Sequence, residues 1–111
     1  GDGSNWRPFI HVRDAARAYL DAALDPDAWP QRVYNVGSND GNYRIAEIAE
    51  VVRDELDHDL DVTYLEDEQP GPSYHVNFDR LAETGFETEW TLREGIRDIA
   101  SELTGDEAID A

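Results

Sequence analysis

The 111-residue chain contains no cysteine, no methionine and no lysine. Lack of cysteine excludes disulfides, thiolate catalysis and Cys-based metal sites. Lack of lysine excludes a Schiff-base amine, and it means that all nine basic residues are arginine. Long apolar runs are also missing: nothing approaches the roughly 18 residues of a membrane span. The opening GDGSNWR has neither the basic nor the apolar region of a signal peptide. A soluble, cytoplasmic chain is therefore expected. The glycines fit neither G-x-G-x-x-G nor G-x-x-x-x-G-K-[ST], so no phosphate-cradling loop can be drawn. His11, His58 and His75 fall in different elements without metal-ligand spacing, and His58 sits in an acidic stretch where solvent exposure is expected.

What is present in excess is acid. Asp and Glu number 26, for a formal net charge of −17. Such a field repels phosphate backbones and anionic lipid, so neither nucleic acid nor membrane is an expected partner. With 40% apolar and 10% aromatic residues the chain is nonetheless no disordered acidic tail. Its length suits one small domain with a modest core. An acidic, lysine-free surface resembles that of proteins from salt-loving archaea, where a carboxylate shell stays hydrated in concentrated salt.

Strand-like and helix-like stretches alternate. RPFIHV reads as extended, because Pro8 biases Arg7 away from helix. Asp14 reads as the N-cap of a helix whose apolar positions are Ala15, Ala16, Tyr19, Leu20, Ala23 and Leu24. DPDAWP ends it. RVYNV (32–36) reads as a strand before the turn cluster GSNDGN, and a second amphipathic helix carries Ile45, Ile48, Ala49, Val52 and Leu56. VTYL (62–65) and SYHVNF (73–78) read as further strands, separated by the proline-containing loop 66–73. Asp79 reads as the cap of a short helix ended by Gly85 in a left-handed conformation. Thr91-x-x-Glu94 is a capping box for a last helix with Leu92, Ile96, Ile99, Ala100 and Leu103 on its apolar face. The expected class is α/β, a small mixed domain of three to four short strands and three to four helices over 1–104, followed by a flexible acidic tail at 105–111. A core this thin is expected to lean on something else.

Arg7 admits two readings on its chemistry alone. It is a guanidinium fork at a strand mouth suited to phosphate or carboxylate, or an ion pair with one of the many acids. His11 either points into a pocket or fills the core with its nitrogens hydrogen-bonded. Trp6, Trp29 and Trp90 either line a groove or cover core edges.

GDGSNWRPFIHVRDAARAYLDAA resembles the segment G-D-G-S-Q-x-R-D-F-[IV]-[HY]-V-x-D-[VA]-A-x-A of NAD-dependent epimerase/dehydratases, extended short-chain dehydrogenase/reductases that act on nucleotide sugars. VYNVGSNDGNYRIAEIAEVV resembles their Y-N-[VI]-G and following helix. SYHVNFDRLAETGFETEWTLREGIRDI resembles their segment ending in [ST]-[LV]-x-E-G-[IL]. The resemblance implies the C-terminal, substrate-binding part of such an enzyme, with a Rossmann-type half that carries the dinucleotide loop and Tyr-x-x-x-Lys lying outside this chain. It implies NAD or NADP for the parent enzyme, none held by this piece, and a piece without activity by itself. It implies a nucleotide-sugar substrate, contact with the N-terminal Rossmann half, and a homodimeric parent but a monomeric piece. Position by position, Arg7 matches an arginine that contacts the nucleotide diphosphate or ribose. Asn5 and Trp6 match neighbouring pocket positions, and His11 a pocket-edge or structural one. Asp14 matches a family aspartate taken as the helix cap, while Asn35 and Gly37 match fold-determining positions. Two departures stand out. Pro8 replaces an acidic residue, and Gly71-Pro72-Ser73 lacks the arginine that many relatives carry there. The second leaves open a related reductase acting on another carbonyl substrate, and a non-catalytic acidic binding module is a further alternative.

Overall fold

A computed structural model describes the backbone of residues 1–56, 59–65 and 71–110, and the side chains of these residues as far as Thr104. His58 and the acidic part of the 66–73 loop lie outside them. The extended backbone before Pro8 becomes β1 (Trp6–Pro8), which pairs antiparallel with β2 (Asn42–Arg44) in the register Trp6↔Arg44, Arg7↔Tyr43, Pro8↔Asn42. α1 (Val12–Leu24) follows β1 directly, and a 3-10 turn at Pro26–Ala28 closes it. α2 (Ile45–Glu55) leaves β2 without a linker, the Arg44 N–H donating to Glu47 Oε1 at 2.9 Å. α3 (Asp79–Ala82) is a single turn, followed by Gly85 at φ +87°. α4 (Leu92–Asp110) is the longest element. The class is a small mixed α/β arrangement of four helices and, among the described residues, a two-stranded sheet.

Three expected strands are not strands here, and β2 occupies the end of what reads as a turn. Residues 32–36 and 62–65 find no neighbour to ladder with, and an unpaired strand leaves its hydrogen bonds to water. Residues 73–76 do run beside β1, with the Tyr74 N–H donating to Trp6 O at 3.2 Å. A side chain then replaces the ladder: the Asn42 amide accepts from Val76 N–H at 2.9 Å and donates to Val76 O at 2.8 Å.

Asp14 is not a helix cap. That role falls to His11, whose Nδ1 accepts the Arg13 N–H at 2.9 Å. Asp14 lies in the first turn of α1, 1% exposed. Its Oδ1 accepts the Glu89 N–H at 2.9 Å and its Oδ2 the Trp90 N–H at 3.1 Å. Arg17 adds a third partner to Oδ1 at 3.1 Å. This attachment turns the Asp14–Ala18 face of α1 inward. The stripe expected inside points outward, with Tyr19 81% and Leu24 75% exposed. Asp79 is likewise not a cap but the first residue of α3, and Asn77 Oδ1 accepts its N–H at 2.8 Å. The Thr91–Glu94 capping box forms as read, with reciprocal bonds of 3.0 and 3.2 Å. The α4 backbone stays helical through Asp110, into the segment read as a tail; Glu107 and Ala108 are good helix formers, and no proline interrupts it.

The core is small: Ala18, Leu81 and Phe86, with Trp29, Tyr34 and Val36 packed on them. Phe78 fills a separate place beneath Gly37, where a β-carbon would stand 2.7 Å from the ring. This explains the glycine, since any side chain there displaces Phe78. The molecule is a plate, 49 × 39 × 17 Å, with a radius of gyration of 16.8 Å; a compact chain of this length has about 13 Å. It exposes 8323 Å², where a compact monomer of its mass exposes about 6,200 Å².

Candidate anion site at the first strand

β1 places successive side chains on opposite faces. Residues 73–76 alongside it supply one aromatic partner to each. On one face the Arg7 guanidinium lies over the Tyr74 ring at 4.7 Å. On the other, Trp6 meets the His75 ring edge-on at 5.3 Å, and the Arg44 guanidinium stacks over Trp6 at 5.0 Å. Asn5 Nδ2 donates to Gly71 O at 2.9 Å, and the Trp6 N–H donates to Ser73 Oγ at 2.9 Å. Asn5, Trp6 and Arg7 therefore share one neighbourhood, built from β1 and residues 71–75.

Arg7 donates from Nη1 to the Trp6 carbonyl at 2.8 Å and pairs with no carboxylate among the described residues. Arg32, Arg44 and Arg80 are likewise without a carboxylate partner among the described residues. Arg13, Arg17, Arg53, Arg93 and Arg97 all have acidic partners.

His11 stands apart from this group. Its Nδ1 accepts from Arg13 N–H, so Nε2 carries the proton and donates to Asp98 Oδ2 at 3.0 Å. The ring stacks on Trp90 at 4.0 Å, and Gly95 on α4 allows that approach, since a β-carbon would come within 3.3 Å of Cδ2. Both ring nitrogens have partners within the chain. Asp14, on the next turn, ties the same segment down. Sequence reasoning missed Tyr74 and Asp98 as partners. The alternation in SYHVNF placed Tyr74 on one face but could not say which arginine it would meet.

Carboxylates elsewhere are tuned by local donors. Hydrogen bonds from Arg97 and then Arg93 depress Glu55 to about 2 and tie α2 to α4. Asn77 and Asn39 hold Asp79 below the usual carboxylate range, as Thr91 does Glu94.

The described residues do not fit a dinucleotide. Pyrophosphate-binding folds present a glycine turn between a parallel strand and an open helix N-terminus. Here the sheet is antiparallel, and side chains of His11, Glu47 and Thr91 each accept one backbone N–H at the N-termini of α1, α2 and α4. No described helix is long and apolar enough to cross a membrane.

The site so described is a strand-edge arginine held by an aromatic ring on a small α/β arrangement. Residues 1–37 match the NAD dependent epimerase/dehydratase family. This stretch contains Asn5, Trp6, Arg7, His11, Asp14 and Gly37, and it is the part of the chain similar to that family. The chain is also similar to a UDP-glucose 4-epimerase of Corynebacterium glutamicum, 34% identical over 59 residues, which is 53% of this chain and 18% of that protein. The chain thus spans less than a fifth of that relative. The family match ends at Gly37, so the motifs at 73–99 lie beyond it. No solved structure matches the chain.

Proposed function

We propose that this chain forms one wall of the nucleotide-sugar pocket of an NAD(P)-dependent epimerase or dehydratase, with Arg7 as the contact to the diphosphate. The observation that carries this reading is Arg7 itself. It lies inside the family-matched stretch and is oriented by Tyr74 without a described carboxylate to neutralise it. A guanidinium fork in that state suits a phosphate oxygen pair. The nicotinamide, with its hydride chemistry, belongs to a Rossmann half outside this chain, so the piece binds without reacting. The flat shape, the outward stripe of α1 and the surface in excess of a compact monomer support a large cover of that kind. The parent is a cytoplasmic homodimer joined through that other half, and this chain alone is a monomer.

The test is titration with UDP-, GDP- and dTDP-sugars. Arg7→Ala is expected to weaken the preferred nucleotide sugar by about 1.5–3 kcal/mol. Equal binding by parent and variant across all three removes Arg7 from the site. Because Gly71-Pro72-Ser73 lacks a second arginine, a parent reductase acting on a different carbonyl compound is the second reading, and indifference to every nucleotide sugar would favour it. The net charge of −17 without lysine further supports a salt-adapted, archaeal source. Screening of that self-repulsion should raise the melting temperature steadily with salt, and a salt-independent melt would contradict it.

A further inference from the structure

The Arg7 guanidinium is fixed from three directions. Its Cζ lies 4.7 Å above the Tyr74 ring. Nη1 donates to the Trp6 carbonyl at 2.8 Å, and the same oxygen accepts the Tyr74 N–H at 3.2 Å. Nη2 faces Gly71, where a β-carbon would stand only 3.4 Å away, and Asn5 holds the Gly71 carbonyl at 2.9 Å. The Trp6 carbonyl therefore registers ring and guanidinium against each other.

A carboxylate could orient an arginine equally well, but it would occupy the fork and cancel its charge. An aromatic face attracts the cation through its quadrupole and leaves the in-plane N–H groups open. In a chain with 26 acidic residues, an arginine that must stay available needs a partner other than a carboxylate.

We propose that Tyr74 is a positioning residue for Arg7: its ring holds the guanidinium flat and charged, with the remaining N–H edge presented to a diphosphate. This rests on the reading of Arg7 as a phosphate contact. The ring supplies the effect and the hydroxyl does not, so phenylalanine should substitute and leucine should not.

The experiment is nuclear magnetic resonance of the 111-residue chain, following the Arg7 side-chain Nε–H and Hδ signals during titration with inorganic pyrophosphate. In the parent, the Arg7 Hδ signals should lie upfield through the ring current of Tyr74, and Nε–H should move on adding pyrophosphate. Tyr74→Leu should remove the upfield shift and weaken pyrophosphate roughly two- to five-fold, the scale of an exposed cation–aromatic contact. Tyr74→Phe should restore both. Equal pyrophosphate affinity in parent and Tyr74→Leu overturns the positioning role while leaving Arg7 as an anion contact. A parent whose Arg7 Nε–H ignores pyrophosphate overturns both. Absence of the upfield shift in the parent, which needs no variant to fold, overturns the stacking on which the inference stands.

Discussion

Two neighbourhoods at either end of the Pro8–His11 stretch use the same kinds of side chain in opposite ways. At the junction of α1 and α4, Asp14, Arg17, His11 and Asp98 are joined to one another or to backbone. Asp14 is fully buried, and both His11 nitrogens are in use. Along β1 and β2, the Arg7 and Arg44 guanidinium groups rest on aromatic rings and pair with no described carboxylate. Polar groups that are buried and saturated fix geometry and have nothing left to offer a ligand. A charge that is oriented but not neutralised keeps N–H groups to offer a ligand, which is the basis of the proposed role of Arg7. The first neighbourhood therefore fixes architecture, and the proposed function gives binding to the second.

The largest expected effect breaks the architectural side. Asp14→Ala removes acceptors from the Glu89 and Trp90 N–H groups and from Arg17, and it strands the two backbone donors in a part-buried place. Urea denaturation should show a loss of about 3 kcal/mol or more, since each stranded donor costs about 1–3 kcal/mol. A loss under about 0.5 kcal/mol, the scale of an ordinary surface substitution, would show that the clamp does not hold α1 to the Glu89–Trp90 segment that precedes α4.

A smaller effect sharpens the comparison through pH. Glu55 is depressed to about 2 from an ordinary value of 4.5 by the two α4 arginines. A depressed carboxylate contributes stability that is fully present above its unfolded value and is lost as pH falls through its folded one. The stability difference between the parent and Glu55→Gln should be constant above pH 4.5 and shrink towards pH 2. Paired denaturation curves across that range check it. A difference that persists undiminished at pH 2 would contradict the α2–α4 link.

Much of this was legible in the sequence, and the failures share a cause. The Thr91–Glu94 box, the left-handed Gly85, the end of α1 and the extent of α2 follow from local chemistry, and they form as read; the start of α1 does not, because His11 and not Asp14 caps it. The stretches at 32–36, 62–65 and 73–78 have strand composition, but a strand also needs a neighbour, and local sequence does not supply one. The face of α1 went wrong for a related reason. Its apolar stripe looked like the core side, yet one buried carboxylate, reaching residues 75 and 76 positions away, rotated it outward. At the site, Asn5, Trp6 and Arg7 were found together because they are consecutive. Tyr74 and Gly71 were missed as their partners because only the fold brings residues so distant onto β1.

The central claim is that Arg7 is spare for structure and committed to a ligand. Linked unfolding tests it directly, because a ligand that binds the folded state raises stability with its concentration. Urea midpoints of the parent and Arg7→Ala should agree within about 1 kcal/mol without ligand, the scale of an exposed cation–aromatic contact. On adding millimolar pyrophosphate, only the parent's midpoint should rise. A midpoint that rises equally in both chains, or an Arg7→Ala chain that is markedly unstable before any ligand is added, would contradict the account.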